Sequence, residues 1–328
     1  MKNKEILVTG GCGFIGSHLV EMLVKNGNKV ICFDRYNPNS HWGWLENSDV
    51  KDDIEVILGD IRDFDSVYDS LKGVELVFHL AALIGIPYSY ISPLAYIRTN
   101  IEGTYNVLES ARLQGTDQVI TTSTSETYGT AQYVPMDEAH PLVGQSPYSA
   151  SKISADQIAF SYFRSFDLPV KIARPFNTYG PRQSSRAIIP TIITQILEGK
   201  GELRIGNISP TRDLTYVADT CRAIIEIAKQ SEFIGDVVNI GTNSEISIQE
   251  LITKIEKISG RKIKTIQDKE RVRPKKSEVD RLISNNEKIL SKTNWKPEIS
   301  LDQGLTETFE WFKKIDIKSL YKPDRYNV

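Results

Sequence analysis

The segment STSETYG, residues 123–129, places hydroxyl groups and a carboxylate in direct succession. The apolar run before it predicts a β-strand, and ligands of open α/β sheets bind at strand ends of this kind. Oxidation of an alcohol needs one base for the O–H proton and a hydride acceptor, but no further acid. Glu126, which follows Thr124 and Ser125, therefore predicts a reaction with an additional proton transfer.

Tyr148 and Lys152, in the sequence YSASK, form a second pair that could do chemistry. Four residues separate them in a predicted helix, so their side chains should share one face. A nearby ammonium group stabilises phenolate and would lower the pKa of a tyrosine from its usual value of about 10. The pair predicts a base for a sugar hydroxyl, although a Tyr/Lys pair on a helix usually lies at the protein surface and has no catalytic role.

The sequence TGGCGFIG, residues 9–16, is typical of a dinucleotide-binding turn between a strand and a helix. Gly10 permits a tight turn, Gly13 lets the backbone approach a pyrophosphate, and Gly16 allows close packing of helix on strand. Asp34 ends the second predicted strand, where a carboxylate accepts hydrogen bonds from ribose and repels a 2′-phosphate. The motif predicts NAD rather than NADP, although the neighbouring Arg35 weakens that preference.

Two further strand ends belong to the same predicted cofactor site. Asp60, in GDIRD (59–63), could meet the adenine, or it could cap the following helix as Asp63 is expected to do. The small residues of HLAA (79–82) would let a cofactor lie close, whereas His79 is expected to be structural.

Alternating strands and helices position these residues. Predicted strands are 5–9, 29–34, 54–60, 76–82, 118–123, 170–174 and 236–241, and predicted helices are 14–27, 62–71, 92–115, 146–166 and 215–230. The pattern predicts an α/β fold, a Rossmann-type doubly wound parallel sheet with a smaller, interleaved C-terminal α/β substrate lobe. We expect an NAD-binding domain at 1–175, which the chain rejoins at about 215–241, and a nucleotide-sugar-binding lobe at 176–214 and 242–328.

Composition is that of an average soluble protein. The chain has 328 residues, a net charge of −2 and 40% hydrophobic residues, which gives no global attraction to nucleic acid or anionic membranes. No stretch is long and apolar enough to span a bilayer. Cys12, Cys32 and Cys221 show no metal-binding or redox spacing, so we expect no metal and a cytoplasmic enzyme.

Together these motifs resemble the extended short-chain dehydrogenase/reductases that act on nucleotide-linked sugars. The matching segments run in order from TGGCGFIG through STSETYG, YSASK, RPFNTYGPRQ and RDLTYVAD to RVRPKKSEV. The resemblance implies tightly held NAD, a nucleotide-sugar substrate and a homodimer formed through helices at 94–113 and 148–166. It assigns cofactor contacts to Gly10, Gly13, Phe14, Ile15, Gly16, Asp34, Asp60, Ile61, Ala81, Tyr148 and Lys152.

Within that family, 4-epimerases usually have an apolar or small residue at the position of Glu126, whereas 4,6-dehydratases and UDP-glucuronate decarboxylases have a carboxylate. For a dehydratase, the resemblance implies that Tyr148 takes the C4 hydroxyl proton while Thr124 binds the C4 oxygen and Lys152 supports Tyr148. Glu126 then removes the C5 proton, and Glu126 or Ser125 helps water leave from C6. A decarboxylase would need cations for a C6 carboxylate, for which Arg182, Arg186 and Arg212 are candidates.

The segments at 33–48, 81–93 and 124–142 look like those of the N-acetylglucosamine 4,6-dehydratases of legionaminic-acid biosynthesis, which act on GDP- or UDP-linked substrate. By this resemblance we favour GDP-N-acetylglucosamine, with a 4-epimerase or a decarboxylase as alternatives. Asn177, Arg212 and Arg273 match positions that hold the diphosphate, and Arg182 is a further substrate candidate. Arginine suits this role because its planar fork donates two hydrogen bonds to phosphate oxygens.

Overall fold

The structure is a computed structural model that describes residues 1–199 and 201–321. Its strands are β1 (Glu5–Thr9), β2 (Lys29–Arg35), β3 (Ile54–Gly59), β4 (Leu76–His79), β5 (Gln118–Thr122), β6 (Val170–Pro175), β7 (Asn177–Tyr179), β8 (Glu202–Ile205), β9 (Thr211–Tyr216), β10 (Val237–Ile240), β11 (Glu245–Ser247), β12 (Lys264–Gln267) and β13 (Arg281–Leu282). Its α-helices are α1 (Phe14–Lys25), α2 (Phe64–Ser70), α3 (Ile86–Ile91), α4 (Pro93–Tyr96), α5 (Gly103–Gln114), α6 (Pro147–Phe166), α7 (Ile188–Glu198), α8 (Val217–Lys229), α9 (Ile248–Ser259), α10 (Glu287–Lys292), α11 (Leu301–Lys314) and α12 (Ile317–Tyr321).

The main sheet has the order β3-β2-β1-β4-β5-β6-β10, with seven strands among the described residues, all paired in parallel. Helices cover both faces, so successive strand residues enter different cores. Ile6 and Val8 face the core that includes α1 and α8, while Leu7 between them faces the core that includes α2 and α5. This explains the nearly continuous apolar strands and confirms the predicted fold class.

The smaller region is built on β9, which pairs with β7 and β13 in parallel and with β11 in antiparallel fashion. Asp213 lies on β9 and is fully buried. Its carboxylate accepts hydrogen bonds from the backbone N–H groups of Thr242 (2.8 Å), Asn243 (3.0 Å) and Ser284 (3.1 Å). This carboxylate ties two loops to β9 and so fixes the strand that carries Arg212.

Several predicted boundaries differ from the observed ones. The single helix predicted at 92–115 is α4, a π-helical segment (Ile97–Glu102) and α5. Asn100, in the π-helical segment, accepts from the Leu83 N–H (2.8 Å) and donates to the Ser151 hydroxyl (2.9 Å), and so joins the segment after β4 to α6. The strand predicted at 76–82 ends at His79, and 215–216 belong to β9 rather than to α8.

The predicted division into two lobes stays a prediction, and its last residues, 322–328, lie outside the described part of the chain. Over the residues that the structure describes, no helix has both the length and the apolar character that a membrane crossing requires.

Candidate active site

The turn after β5 presents Glu126. Thr124 caps a short 3-10 helix, Ser125–Tyr128, and its hydroxyl accepts a hydrogen bond from the Glu126 N–H at 3.3 Å. Only 12% of the Glu126 side chain is exposed, and this residue lines a cavity that is partly open to solvent. Ser125 in the same turn is buried. The turn therefore holds a carboxylate at the carboxyl end of a central strand, as the sequence predicted.

Helix α6 brings Tyr148 and Lys152 to the same strand end. The helix begins with a capping box, in which Ser146 and Ser149 each bond the other's backbone, and with Pro147 in its first turn. Tyr148 is buried and packs in a cluster with Ile86 and Tyr96. The Tyr148 hydroxyl interacts with the Thr124 side chain. Thr124, Glu126 and Tyr148 are thus brought together.

The electrostatic environment of Tyr148 differs from the expected one. Burial raises the pKa of Tyr148 well above its usual value, and the nearby Glu126 carboxylate raises it further against the opposing hydrogen bond from Thr124. Lys152 is itself buried, which lowers its pKa, and its Nζ donates to the Thr122 carbonyl at 2.7 Å. The prediction of a lowered Tyr148 pKa is wrong for this state, because desolvation of the phenolate is the largest effect on it.

The glycine motif forms a close-packed turn. Gly10 has φ +72°, and a Cβ atom there would lie 2.9 Å from the Ala81 nitrogen. At Gly16 a Cβ atom would lie 2.0 Å from the Gly10 carbonyl oxygen, whereas at Gly13 the nearest atom would be 3.3 Å away. Gly10 and Gly16 are therefore required by packing, while Gly13 keeps one surface of the turn free of a side chain. Phe14 and Ile15 follow it as the first residues of α1, where N–H groups have no partner within the helix.

The carboxylates near this turn differ in their partners. Asp34 Oδ2 accepts from the Cys12 N–H at 2.8 Å, which fixes the carboxylate beside the glycine turn. Asp60 is held by the Arg62 guanidinium, whose Nε lies 2.9 Å from Oδ1, and this hydrogen bond lowers the pKa of Asp60. Ile61 is buried against Gly103. Asp34 thus fits a ribose-binding role, whereas Asp60 already has a cationic partner.

His79 is a buried structural residue in this arrangement. One ring nitrogen lies 2.7 Å from the Thr9 hydroxyl and the other 3.0 Å from the Thr104 hydroxyl. Burial lowers the pKa of His79 to about 3, with a further contribution from Lys152. The imidazole is therefore neutral at pH 7, as expected for a residue that joins β1, β4 and α5.

A cavity of about 240 Å³ lies between the turn with Glu126 and the smaller region. Its lining includes three of the predicted substrate residues, Asn177, Arg212 and Arg273, together with Arg186. Asn177 Oδ1 and Arg273 Nη1 are buried and have no hydrogen-bond partner among the described residues. Buried polar atoms are rarely left unpaired, so water or a polar ligand in the cavity would satisfy both atoms.

Arginines and carboxylates alternate around this cavity. Arg273 Nη1 lies 4.0 Å from Glu126 Oε1 and 3.8 Å from Glu278 Oε1, and Arg212 Nη2 lies 3.8 Å from the same Glu278 oxygen. Burial lowers the pKa of Arg212, while the charge of Glu126 raises it. These long contacts leave the guanidinium groups with unused donors for an anion.

Arg182 lies elsewhere. It adopts φ +71°, its Nη2 donates to Glu21 Oε1 on α1 at 2.8 Å, and among the described residues it does not line the cavity. Gln183 and Glu278 do line the cavity, and sequence reasoning missed both. The sequence gives little indication of either residue, because polar residues in loops follow no periodic pattern from which the direction of their side chains could be predicted.

Comparisons with known proteins identify the family of this chain. The model of the family described as GDP-mannose 4,6 dehydratase matches residues 7–308. A putative UDP-glucose 4-epimerase of Methanocaldococcus jannaschii is 34% identical over 94% of this chain and 98% of its own length. A UDP-N-acetyl-alpha-D-glucosaminuronate decarboxylase of Bacillus cytotoxicus is also 34% identical, over 95% of this chain and 99% of its own length.

Among solved structures, the dTDP-glucose 4,6-dehydratase DesIV of Streptomyces venezuelae, with NAD and TYD bound, superposes with a TM-score of 0.88. It is 29% identical, and the match covers 98% of this chain and 100% of that one. The chain belongs to the GDP-mannose 4,6-dehydratase family, within the extended short-chain dehydrogenase/reductases that act on nucleotide sugars. Its relatives carry three different activities, so membership alone does not select one reaction.

Proposed function

We propose that this enzyme is an NAD-dependent nucleotide-sugar 4,6-dehydratase, a hydro-lyase that converts GDP-N-acetylglucosamine to its 4-keto-6-deoxy derivative. The observation that carries the proposal is the position of Glu126. Its carboxylate lines the same cavity as the unpaired Asn177 Oδ1 and Arg273 Nη1, and its turn is capped by the Thr124 side chain that meets Tyr148. An acid/base group therefore borders the place for the substrate.

The residues at the glycine turn fit NAD. A side chain at Gly13 would occupy the free surface of the turn, and Asp34 is held at the end of β2 beside it. Gly10, Gly13, Phe14, Ile15, Gly16 and Asp34 would hold the dinucleotide, with Ile61 and Ala81 beside it. When bound, NAD supplies a reversible hydride acceptor, which oxidation at C4 and reduction at C6 both require.

Tyr148 acts on the C4 hydroxyl. Its buried oxygen accepts the hydroxyl proton, and the Thr124 hydroxyl donates a hydrogen bond to the C4 oxygen. Burial disfavours the phenolate, so Lys152 must offset that cost when substrate and cofactor are in place. Lys152 is within the same helix turn and keeps a lowered pKa by burial, which suits a group that exchanges protons with its neighbours.

Glu126 carries out the elimination. A ketone at C4 makes the C5 proton acidic, and the Glu126 carboxylate removes that proton. The resulting carboxylic acid, or Ser125, then donates a proton to the C6 hydroxyl, which leaves as water. Placing the base and the acid on one carboxylate balances the protons of the elimination.

Asn177, Arg212 and Arg273 hold the diphosphate in this proposal. Two guanidinium groups and an amide that lack complete pairing meet in one cavity, which suits an anion with several acceptor oxygens. Arg182 is a weaker candidate because it does not line the cavity and its Nη2 already binds Glu21. The choice of N-acetylglucosamine and of GDP is supported by sequence resemblance to the enzymes of legionaminic-acid biosynthesis.

A decarboxylase that acts on UDP-glucuronate is the second candidate. It is favoured by Arg273 Nη1, which is unpaired and 4.0 Å from Glu126, where a C6 carboxylate would find a cation. The 34% identity to the decarboxylase of Bacillus cytotoxicus points the same way. A 4-epimerase is the third, supported by the relative from Methanocaldococcus jannaschii.

We also propose a cytoplasmic homodimer. Helices α3 to α6 and the segment between α4 and α5 carry large apolar residues that are 44% to 68% exposed: Ile91, Leu94, Ile97, Tyr105 and Phe166. Apolar exposure of this extent is typical of a protein interface. The cytoplasmic location is supported by three free, buried cysteines. Light scattering on the purified protein tests the dimer, and a monomeric mass would contradict it.

The deciding experiment incubates the enzyme, without added NAD, with GDP-N-acetylglucosamine, UDP-N-acetylglucosamine and UDP-glucuronate. Mass spectrometry should show loss of water from an N-acetylglucosamine nucleotide. Loss of carbon dioxide from UDP-glucuronate would establish the decarboxylase instead. A product of unchanged mass with inverted C4, and with no deuterium from solvent at C5, would establish the epimerase.

A further inference from the structure

A buried ion pair lies directly behind the candidate active site. Arg174 on β6 and Asp156 on α6 are both nearly inaccessible, with 1% and 2% of their side chains exposed. Arg174 Nη2 donates to Asp156 Oδ2 at 2.9 Å. A buried pair of this kind is costly to desolvate and is weak evidence for stability on its own. The role of this ion pair must therefore be inferred from the other residues that it contacts.

On one side the pair contacts the turn with Glu126. Arg174 Nη1 donates to the Tyr128 hydroxyl at 2.7 Å, and the guanidinium carbon lies 4.7 Å from the centre of the Tyr128 ring. The Tyr128 hydroxyl in turn donates to Asn239 Oδ1 at 2.7 Å. Tyr128 belongs to the same 3-10 helix as Glu126 and is completely buried. Arg174 thereby fixes the far end of the turn.

On the other side the pair contacts the helix with Tyr148. Asp156 lies on α6, one turn beyond Lys152 and two turns beyond Tyr148. The same Asp156 oxygen accepts from the hydroxyl of Ser123, the residue that precedes Thr124. The guanidinium group of Arg174 is thus the shared partner of the turn with Glu126 and of the helix with Tyr148.

We infer that Arg174, Asp156 and Tyr128 are positioning residues that hold the Glu126 carboxylate at a set place relative to the Tyr148 hydroxyl. None of the three was assigned a role from the sequence, and none lines the cavity among the described residues. The inference rests on the proposed function, since it concerns the group that removes the C5 proton. A shift of about 1 Å in a reacting group can reduce a rate by about a hundredfold.

The test is Tyr128→Phe, which keeps the ring over Arg174 and removes the hydroxyl that binds both Arg174 and Asn239. We expect kcat to fall about tenfold to a hundredfold with KM nearly unchanged. The kinetic isotope effect of C5-deuterated substrate should rise, and that of C4-deuterated substrate should fall, because C5 deprotonation becomes rate-limiting. Tyr162→Phe is the matched control, since this buried tyrosine on α6 donates to Glu109 at 3.0 Å, and it should leave both isotope effects unchanged.

A purely structural role predicts a lower melting temperature with isotope effects equal to those of the natural enzyme, and that result would overturn the inference. Ser123→Ala, which removes one hydrogen bond to Asp156, is a milder second variant. It should change kcat and the two isotope effects in the same directions as Tyr128→Phe. Crystal structures of the natural enzyme and of Tyr128→Phe give a readout without substrate. The Glu126 carboxylate should move relative to the Tyr148 hydroxyl, and an unchanged position would reject the inference even if the enzyme proves to catalyse another reaction of its family.

Discussion

Arg273 Nη1 lies 4.0 Å from Glu126 Oε1, and this contact joins the smaller region to the turn after β5. Arg273 Nη1 is inaccessible to solvent, yet this nitrogen forms no hydrogen bond to any described residue. A buried charged donor without a hydrogen bond costs free energy, which a bound anion or a water would recover. The contact therefore places the guanidinium group that we propose to bind the diphosphate beside the proposed acid/base group.

Replacing Glu126 with Gln keeps the shape of the side chain and removes its basicity. We expect loss of water to slow by about 10²- to 10⁴-fold, because the C5 proton has no acceptor, while NAD and GDP bind as before. Mass spectrometry of the product measures the change. Glu278→Gln is the comparison, since this carboxylate also lies near Arg273, and it should retain elimination. Equal losses in the two variants would argue for charge balance rather than proton transfer.

Replacing Arg273 with Gln should raise KM for the nucleotide sugar and weaken binding of free GDP by about 10- to 100-fold, the value of a hydrogen bond to a charged group. Calorimetry with GDP measures the second effect. Arg281→Gln is the control, because Arg281 pairs with Glu245 at the surface and should leave binding unchanged. Unchanged GDP affinity in Arg273→Gln would show that this arginine serves the sugar and not the phosphates.

The glycine turn gives a pair of matched substitutions. Gly16→Ala would place a Cβ atom 2.0 Å from the Gly10 oxygen, so we expect it to destabilise the fold by about 1–3 kcal/mol. Gly13 has φ −80°, and its nearest neighbour would be 3.3 Å from an added Cβ, so Gly13→Ala should fold almost normally and bind NAD less tightly. Thermal melts and the amount of nucleotide that copurifies separate the two effects. Normal NAD content in Gly13→Ala would contradict the assigned role.

Two histidines, the buried His79 and the partly buried His18, should make the fold sensitive to acid. Burial lowers the pKa of His79 to about 3 and that of His18 to about 4, whereas unfolded histidine has a pKa of about 6.5. Below pH 6.5 the unfolded chain binds more protons, so the free energy of unfolding falls as the pH decreases toward 4 and is unaffected by these groups above pH 7. The slope near pH 5 should approach about 2.7 kcal/mol per pH unit from the two groups together.

Urea unfolding at pH 8, 7 and 5 measures this slope. His79→Asn should be less stable at pH 7, because the bonds to Thr9 and Thr104 change, but it should lose about half of the pH dependence. A slope that is the same in this variant and in the natural protein would show that other groups cause the acid sensitivity.

The sequence alone was sufficient for the order of the main elements, the glycine turn and the grouping of Thr124, Glu126 and Tyr148. These features depend on local patterns: apolar runs for strands covered on both faces, helical spacing, and glycines where a Cβ atom would collide. Three of the four predicted substrate residues also line one cavity, because family motifs occupy equivalent places in a shared fold.

Only the tertiary structure decided how these groups influence one another. It directed Arg182 to Glu21, gave Asp60 a partner in Arg62, and raised the pKa of Tyr148 that the sequence led us to expect lowered. It also joined Arg174 to Tyr128 and Asp156 behind the site. Asp60 and Arg62 are only two residues apart, but the contacts of Arg182 and Arg174 join residues distant in the chain, and burial is set by the whole fold, so spacing along a sequence does not reveal these effects.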